Sequence, residues 1–272
     1  MKPSERDVCV SKLEKCIADI KSWTVRNKLQ LNDSKTEVIH VTSQHRKTTP
    51  LSGIRIGDVN IEPTSSARNL GVVFDSKLTM KEHVTNVCRN ATHAIRSIGR
   101  IRHYLDQDTT EKLVHAYVTS RLDHCNSLLY GLPDSEIMKL QRVLNTAARL
   151  VTRTKKFDSI SNIMSGLHWL SIRQRIIFKI NLLTFKCLNG LSPSYLMDLI
   201  TRYTPDRSLR SSSHNRIKPP SRRPRTAYGR RSFTEAAHRE WNNLPIHVRT
   251  ATSIDNFKTK LKTHLFTQCL SM

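Results

Sequence analysis

The run ARNLGVVFDSKLTMKEHV, residues Ala67 to Val84, holds the boundary between two kinds of chain. Its first half, RNLGVVFD from Arg68 to Asp75, reads as a strand rich in β-branched and aromatic residues. Just beyond it, Thr79 with Glu82 three positions on has the pattern of a capping box. The apolar residues that follow (Met80, Val84, Val87, Ala91, Ala94, Ile95 and Ile98) recur at helical spacing. The hydrophobic period lengthens here and does not shorten again, so the fold turns on this stretch.

Upstream, the residues alternate between helix and short strands. From about Arg6 to Leu29 the positions Leu13, Cys16, Ile17, Ile20 and Trp23 line one helical face, predicting a buried stripe. The helix ends near Asn32, and Lys35 stands at the entrance of a short strand over 38–41. IRIGDVNIE alternates apolar and polar residues around Gly57-Asp58, the pattern of a hairpin. Residues 1–75 therefore form an α+β segment.

Downstream, every apolar pattern is helical. Asp108 and Glu111 repeat the capping signal before a helix carrying Leu113, Val114, Tyr117, Val118, Leu122, Cys125 and Leu129, which stops at Gly131 and Pro133. Further helices are predicted over 134–151, 171–188 and a short one after Pro193. Residues 76–200 read as a helical bundle. SFTEAAHREWNNLP and SIDNFKTKLKTHLF read as two terminal helices, a small C-terminal cap over 232–272.

Charge separates these parts further. Of the formal +23 over 272 residues, only +3 falls in residues 1–75. Residues 201–231 hold ten Lys or Arg against one acid, Asp206, with four prolines and little apolar periodicity. Such a segment cannot offset its ordering entropy by burial, so it reads as an exposed, flexible basic arm. Uncompensated cations at this density repel one another without an anion nearby, which favours a polyanionic partner, nucleic acid before an acidic membrane surface. The arm's candidate nucleic-acid ligands are Arg210, Arg216, Lys218, Arg222, Arg223, Arg225, Arg230 and Arg231, with Arg222, Arg223, Arg225, Arg230 and Arg231 the leading five. RRPR and Lys218 also have the composition of a nuclear-import signal.

Other classes are disfavoured. No apolar run reaches the length of a membrane-spanning helix, and the first residues lack a signal peptide, so the expected location is nuclear or cytoplasmic and not secreted. Six scattered cysteines without a Cys-x-x-Cys pair read as buried free thiols. His83 with Cys88, and His264 with Cys269, each give half of a zinc knuckle without its other half, so no metal site is expected. Trp23, Trp169 and Trp241 lie in apolar patterns and read as packing residues.

LNDSKTEVIHV, ARNLGVVFDSKLTMKEHV, LQRVLNTAARLVTR, LHWLSIRQRIIFKINLLTFKCLNGLSPSYLMDLI, YGRRSFTEAAHREWNNLP and SIDNFKTKLKTHLF, in this order, resemble the C-terminal part of non-LTR (LINE-type) retrotransposon reverse transcriptases, especially those of jockey-like and chicken-repeat-like elements. The resemblance implies that residues 1–75 are the end of a palm, 76–200 a thumb, and the rest a C-terminal region. Asn32 and Lys35 match the family's LN..KT palm motif, whose lysine is expected near the incoming nucleotide's phosphates. Leu70 and Gly71 match the turn that grips the primer end. The implied partner is an RNA or RNA–DNA duplex held through its backbone, without sequence preference or membrane.

The same resemblance marks what is missing. Phosphoryl transfer in that family requires carboxylates holding Mg²⁺, and no Asp-Asp pair occurs in this chain. Asp75, Asp123 and Asp158 are isolated acids. Mg²⁺ is therefore expected only in a full-length polymerase, and this chain is expected to be a truncated, catalytically inactive fragment that retains template-primer binding. The alternative is an inert helical interaction protein derived from a mobile element. On sequence alone, Lys35 is more simply a solvated lysine at a strand entrance.

Overall fold

The computed structural model describes residues 3–32, 35–42, 51–57, 59–204, 215–222, 224 and 226–270. The chain forms two units, Met1–His83 and Val84–Met272. The division falls a little beyond the boundary at 75/76 that the change of period marks.

The first unit combines a long helix, α1 (Pro3–Arg26), with three two-stranded ribbons. β1 (Val38–Ile39) pairs in parallel with β4 (Pro63–Thr64), and β2 (Ile54–Ile56) pairs with β3 (Val59–Ile61) in the predicted hairpin. RNLGVVFD is also a hairpin rather than one strand. β5 (Ser66–Asn69) turns into β6 (Val72–Asp75) through Leu70 and Gly71, whose φ angles of 47° and 85° are the positive pair that a two-residue type I′ turn needs. Glycine adopts this backbone freely. Leucine does not, and the turn holds it there at a cost on the order of 1 kcal/mol.

The stripe predicted to be buried on α1 is not. Leu13, Ile20 and Trp23 are 45%, 47% and 53% exposed, and Cys9 and Cys16 are exposed too. The half-buried face is instead Val10, Glu14, Ile17, Lys21 and Thr24. It meets the β2–β3 hairpin, where Glu14 Oε1 accepts the Arg55 backbone N–H at 2.9 Å. A small hairpin covers only one narrow face of a helix, and a polar contact sets which face that is.

α2 (Lys81–Ile101) opens as expected. Thr79 Oγ1 accepts the first helical N–H, that of Lys81, at 3.4 Å, and the turn just before the helix is braced by Asp75. Its carboxylate accepts the backbone N–H groups of Lys77 (3.1 Å), Thr79 (2.9 Å) and Met80 (2.7 Å) and the Thr79 hydroxyl at 3.1 Å. Burial alone would raise the Asp75 pKa, but these donors outweigh it and hold the group below the usual carboxylate value. A depressed folded pKa contributes stability that is present above the unfolded value of about 4 and is lost as pH falls through the folded pKa. Asp75→Asn should therefore cost about 1 kcal/mol at pH 7. Its loss of stability below about pH 4 should also be shallower than that of the unsubstituted chain, as read by thermal unfolding from pH 7 to acid.

In the second unit, α3 (Gln107–Val114) is capped by Asp106, which accepts the Thr109 N–H at 2.7 Å, and not by Asp108. It runs through a π turn (His115–Thr119) into α4 (Ser120–Asp123). α5 (Asp134–Thr152) and α7 (Ile172–Leu188) occupy the predicted spans, α7 behind a capping box of Ser171 and Gln174. Between them lies α6 (Ile160–Gly166), which the sequence reading did not anticipate. α8 (Ser194–Met197), α9 (Phe233–Asn243), α10 (Ile246–Arg249) and α11 (Ile254–Leu270) follow.

The core is built on α5 and α7. Leu140, Leu144, Ala147, Ala148 and Val151 of α5 and Ile176 and Ile180 of α7 are 3% exposed or less. The terminal helices do not stand apart as a cap, because α9 and α11 both pack on α7. Phe185 stacks on Phe257 with centroids 4.4 Å apart, and Trp241 lies 5.6 Å from Phe257. Gln174 Nε2 donates to the Leu265 carbonyl at 2.6 Å, so α7 and α11 run antiparallel with 174 beside 265 and 185 beside 257.

Candidate nucleic-acid interface

In the first unit, Lys35 is exposed at the turn before β1. Its backbone N–H donates to the Asn32 carbonyl at 3.1 Å and to Asn32 Oδ1 at 3.2 Å, and the Thr36 hydroxyl donates to the same carbonyl at 3.0 Å. Asn32 thus shapes the turn that presents Lys35. Glu37 Oε2 accepts the Arg68 N–H at 3.3 Å, tying the lysine's strand to the β5–β6 hairpin. At the tip of that hairpin Leu70 is 86% exposed.

The isolated acids are all committed elsewhere. Asp75 braces the turn before α2. Asp123 pairs with Arg175 Nη1 at 2.8 Å and accepts from Asn126 Nδ2 at 3.3 Å, and Asp158 Oδ2 accepts the Lys155 N–H at 2.7 Å. Among the described residues no three His, Cys, Asp or Glu side chains come together as metal ligands.

The basic segment 201–231 differs from a flexible arm wherever it is described. Residues 215–217 are held against α9: Trp241 Nε1 donates to the Asn215 carbonyl at 2.7 Å, and the Asn242 side chain pairs with both the N–H (3.1 Å) and the carbonyl (3.0 Å) of Ile217. Asn242 thereby imitates a neighbouring strand, and Ile217 is only 3% exposed. Asn215 Nδ2 reaches the Arg249 carbonyl at 2.9 Å, and Lys218 N–H reaches the Thr201 carbonyl at 2.8 Å. The Trp241 and Asn242 side-chain anchors come from another helix, which composition cannot foresee. Arg216, Lys218 and Arg222 project from the anchored stretch and are exposed, whereas Arg210, Arg223 and Arg225 lie outside the described residues.

Arg230 and Arg231 belong to a 3₁₀ turn, Gly229–Arg231, beside two adjoining clefts of about 510 and 520 Å³. Arg230 and Arg239 line both clefts, and Arg173 and Arg231 line the first. Gly131, at φ 68°, lies under Arg231. A Cβ there would come within 2.8 Å of the Arg231 side chain, so the turn needs glycine for its backbone and its space alike. Of the nearby acids, Asp134 pairs with Arg173 and Glu240 accepts the Tyr130 hydroxyl at 2.6 Å, whereas the buried Oε1 of Glu235, which lines the second cleft, has no hydrogen-bond partner among the described residues. Burial, then the bond to Glu240, pushes the Tyr130 phenol well above its ordinary pKa, so it stays a donor. Arg230 has no side-chain partner among the described residues. The result is a groove with arginines on both walls. Arg173 and Arg239 were missed from sequence because they are spaced as ordinary solvent-facing helix positions, Arg239 lying off the buried face formed by Ala236, Ala237 and Trp241.

The chain is similar in sequence to an RNA-directed DNA polymerase of a transposon. That relative is the "Probable RNA-directed DNA polymerase from transposon X-element" of Drosophila melanogaster, 25% identical over 234 residues, which are 79% of this chain and 23% of the relative. The chain thus spans less than a quarter of the length of the curated relative it matches. No family model and no solved structure matches it. No helix among the described residues is long and apolar enough to cross a membrane.

Proposed function

We propose that this chain is the template-primer-gripping C-terminal part of a non-LTR retrotransposon reverse transcriptase, comprising the end of the palm, the thumb and the following C-terminal region. It binds the backbone of RNA or RNA–DNA duplexes without reading sequence, and it does not polymerise on its own. The observation that carries this reading is the arginine-walled groove around Arg230 and Arg239, in a chain whose similarity is to a transposon polymerase. Guanidinium groups on rigid walls suit phosphate oxygens, and no base-reading element is required for backbone contacts.

In the first unit, the reading assigns Lys35 to a nucleotide phosphate and the tip of the β5–β6 hairpin, Leu70 and Gly71, to the primer end. Left-handed backbone at an exposed leucine is the kind of local strain that functional turns hold. The metal-holding carboxylates and Mg²⁺ belong to the remainder of a complete enzyme. Filter binding of the purified chain to RNA–DNA duplexes of unrelated sequence tests the reading. Similar affinity for every sequence is expected, and no binding at low salt would leave the interaction-protein alternative in its place.

A further inference from the structure

A second cleft, of about 390 Å³, lies in the helical unit among the π turn, the end of α4, the 167–170 loop, α7 and α11. It lies within the size range of small-molecule sites. Its carboxylates are already engaged. Glu111 Oε1 accepts the Trp169 indole N–H at 2.9 Å and lies 3.4 Å from His115 Nε2, and Asp123 is held by Arg175 and Asn126. Its lysines are not. Lys179 of α7 and Lys262 of α11 stand opposite one another, since the antiparallel register that places 174 beside 265 and 185 beside 257 also places 179 beside 262. Neither has a hydrogen-bond or ion-pair partner among the described residues.

Two other features point the same way. Asn126 is 3% exposed and lines the cleft, yet its amide oxygen has no hydrogen-bond partner. Because Nδ2 already donates to Asp123, that oxygen is a true acceptor and calls for an N–H or O–H donor. His115, also in the lining, belongs to a π turn, a rare irregularity that is frequent at functional sites. Phe178, Leu167 and Leu170 add flat and apolar surface to the lining.

We infer that this cleft binds a nucleoside phosphate, its phosphate between Lys179 and Lys262 and its nucleoside against Phe178, Leu167 and Leu170. The chemistry is shared by a free nucleotide and by the phosphorylated end of a strand. Neither source requires the arginine groove, so the two sites fail independently.

Calorimetric titration of the full chain with adenosine and uridine monophosphates, a 5′-phosphorylated trinucleotide, its unphosphorylated form and inorganic phosphate tests the inference. Nucleotide binding is expected, weakened about tenfold or more in Lys179→Gln/Lys262→Gln, a change worth about 1.4 kcal/mol per tenfold. The same loss should appear when the two lysine substitutions are added to Arg230→Gln/Arg239→Gln, a background without the groove's arginines. Lys262→Gln alone, at an exposed position, should show a part of the same loss in a chain with unaltered melting. Tighter binding of the phosphorylated trinucleotide assigns the site to strand ends, and tighter binding of the mononucleotide assigns it to free nucleotide. Absent nucleotide binding, binding that ignores the lysine substitutions, or inorganic phosphate binding as well as the nucleotides would overturn it.

Discussion

Replacing Trp241 by alanine is expected to destabilise the helical unit by about 3–5 kcal/mol, the cost of emptying a fully buried indole site. The side chain lies in contact with Phe185 and Phe257, whose helices would lose their common aromatic layer. The indole N–H has a second task, because it holds the Asn215 carbonyl at 2.7 Å. Trp241→Phe separates the two. It should retain most of the burial and cost about 1–2 kcal/mol, mainly through the lost hydrogen bond. Phenylalanine should also loosen residues 215–217, so hydrogen exchange at Ile217 should rise more than exchange in α7. Equal protection at both places would mean that the anchor does not depend on the indole.

The second large effect is expected at Arg102, 8% exposed at the end of α2. Its guanidinium donates to the carbonyls of Leu150 (2.8 Å), Val151 (2.7 Å) and Leu105 (2.7 Å), and so closes the C-terminal turn of α5. A cation there also meets the negative end of the helix dipole. Arg102→Ala removes the donor from the Leu150 and Val151 carbonyls and leaves that of Leu105 with Arg153 alone, which should cost about 3 kcal/mol and lower the melting temperature by on the order of 10 °C. Arg102→Lys should recover little of this, because a single ammonium cannot span the three acceptors that the planar fork reaches. A melting temperature within a degree or two of the parent would refute the bridging role.

The legible parts of this fold are those where side-chain period alone decides. α2, α5, α7, α9 and α11 lie where their apolar stripes place them, whereas the helix expected to run to Gly131 and Pro133 already ends at Asp123, with Cys125 left-handed before a 3₁₀ turn over Asn126–Leu129. Caps were legible in kind but not always in position. Asp106 wins over Asp108 because it stands just before the first helical residue, where its carboxylate reaches the Thr109 N–H, and at α2 Thr79 takes the Lys81 N–H while Asp75 braces the preceding turn. Three-dimensional neighbours were not legible. The α1 stripe looked like a buried face, yet which face a helix buries depends on what lies beside it, and here a narrow hairpin does.

The candidate sites divide in the same way. The basic character of residues 216–231 and the places of Arg222, Arg230 and Arg231 were evident from charge alone. Their ordering by Trp241 and Asn242, and the contribution of Arg173 and Arg239 to a shared groove, depend on helices packed from elsewhere in the chain. The lysine-flanked cleft had no sequence signature, since Lys179 and Lys262 come together only through the antiparallel register of α7 and α11.

The most direct test of the account is the dependence of RNA–DNA duplex binding on salt, compared between the parent chain and Arg222→Gln/Arg230→Gln/Arg231→Gln/Arg239→Gln. If these arginines meet phosphates, log K should fall linearly with log salt concentration, by about 0.7–0.9 per contact. The substituted chain should then show a slope shallower by about 3 and weaker binding to every duplex sequence. A slope that the four substitutions leave unchanged, or a parent chain whose binding ignores salt, would contradict it.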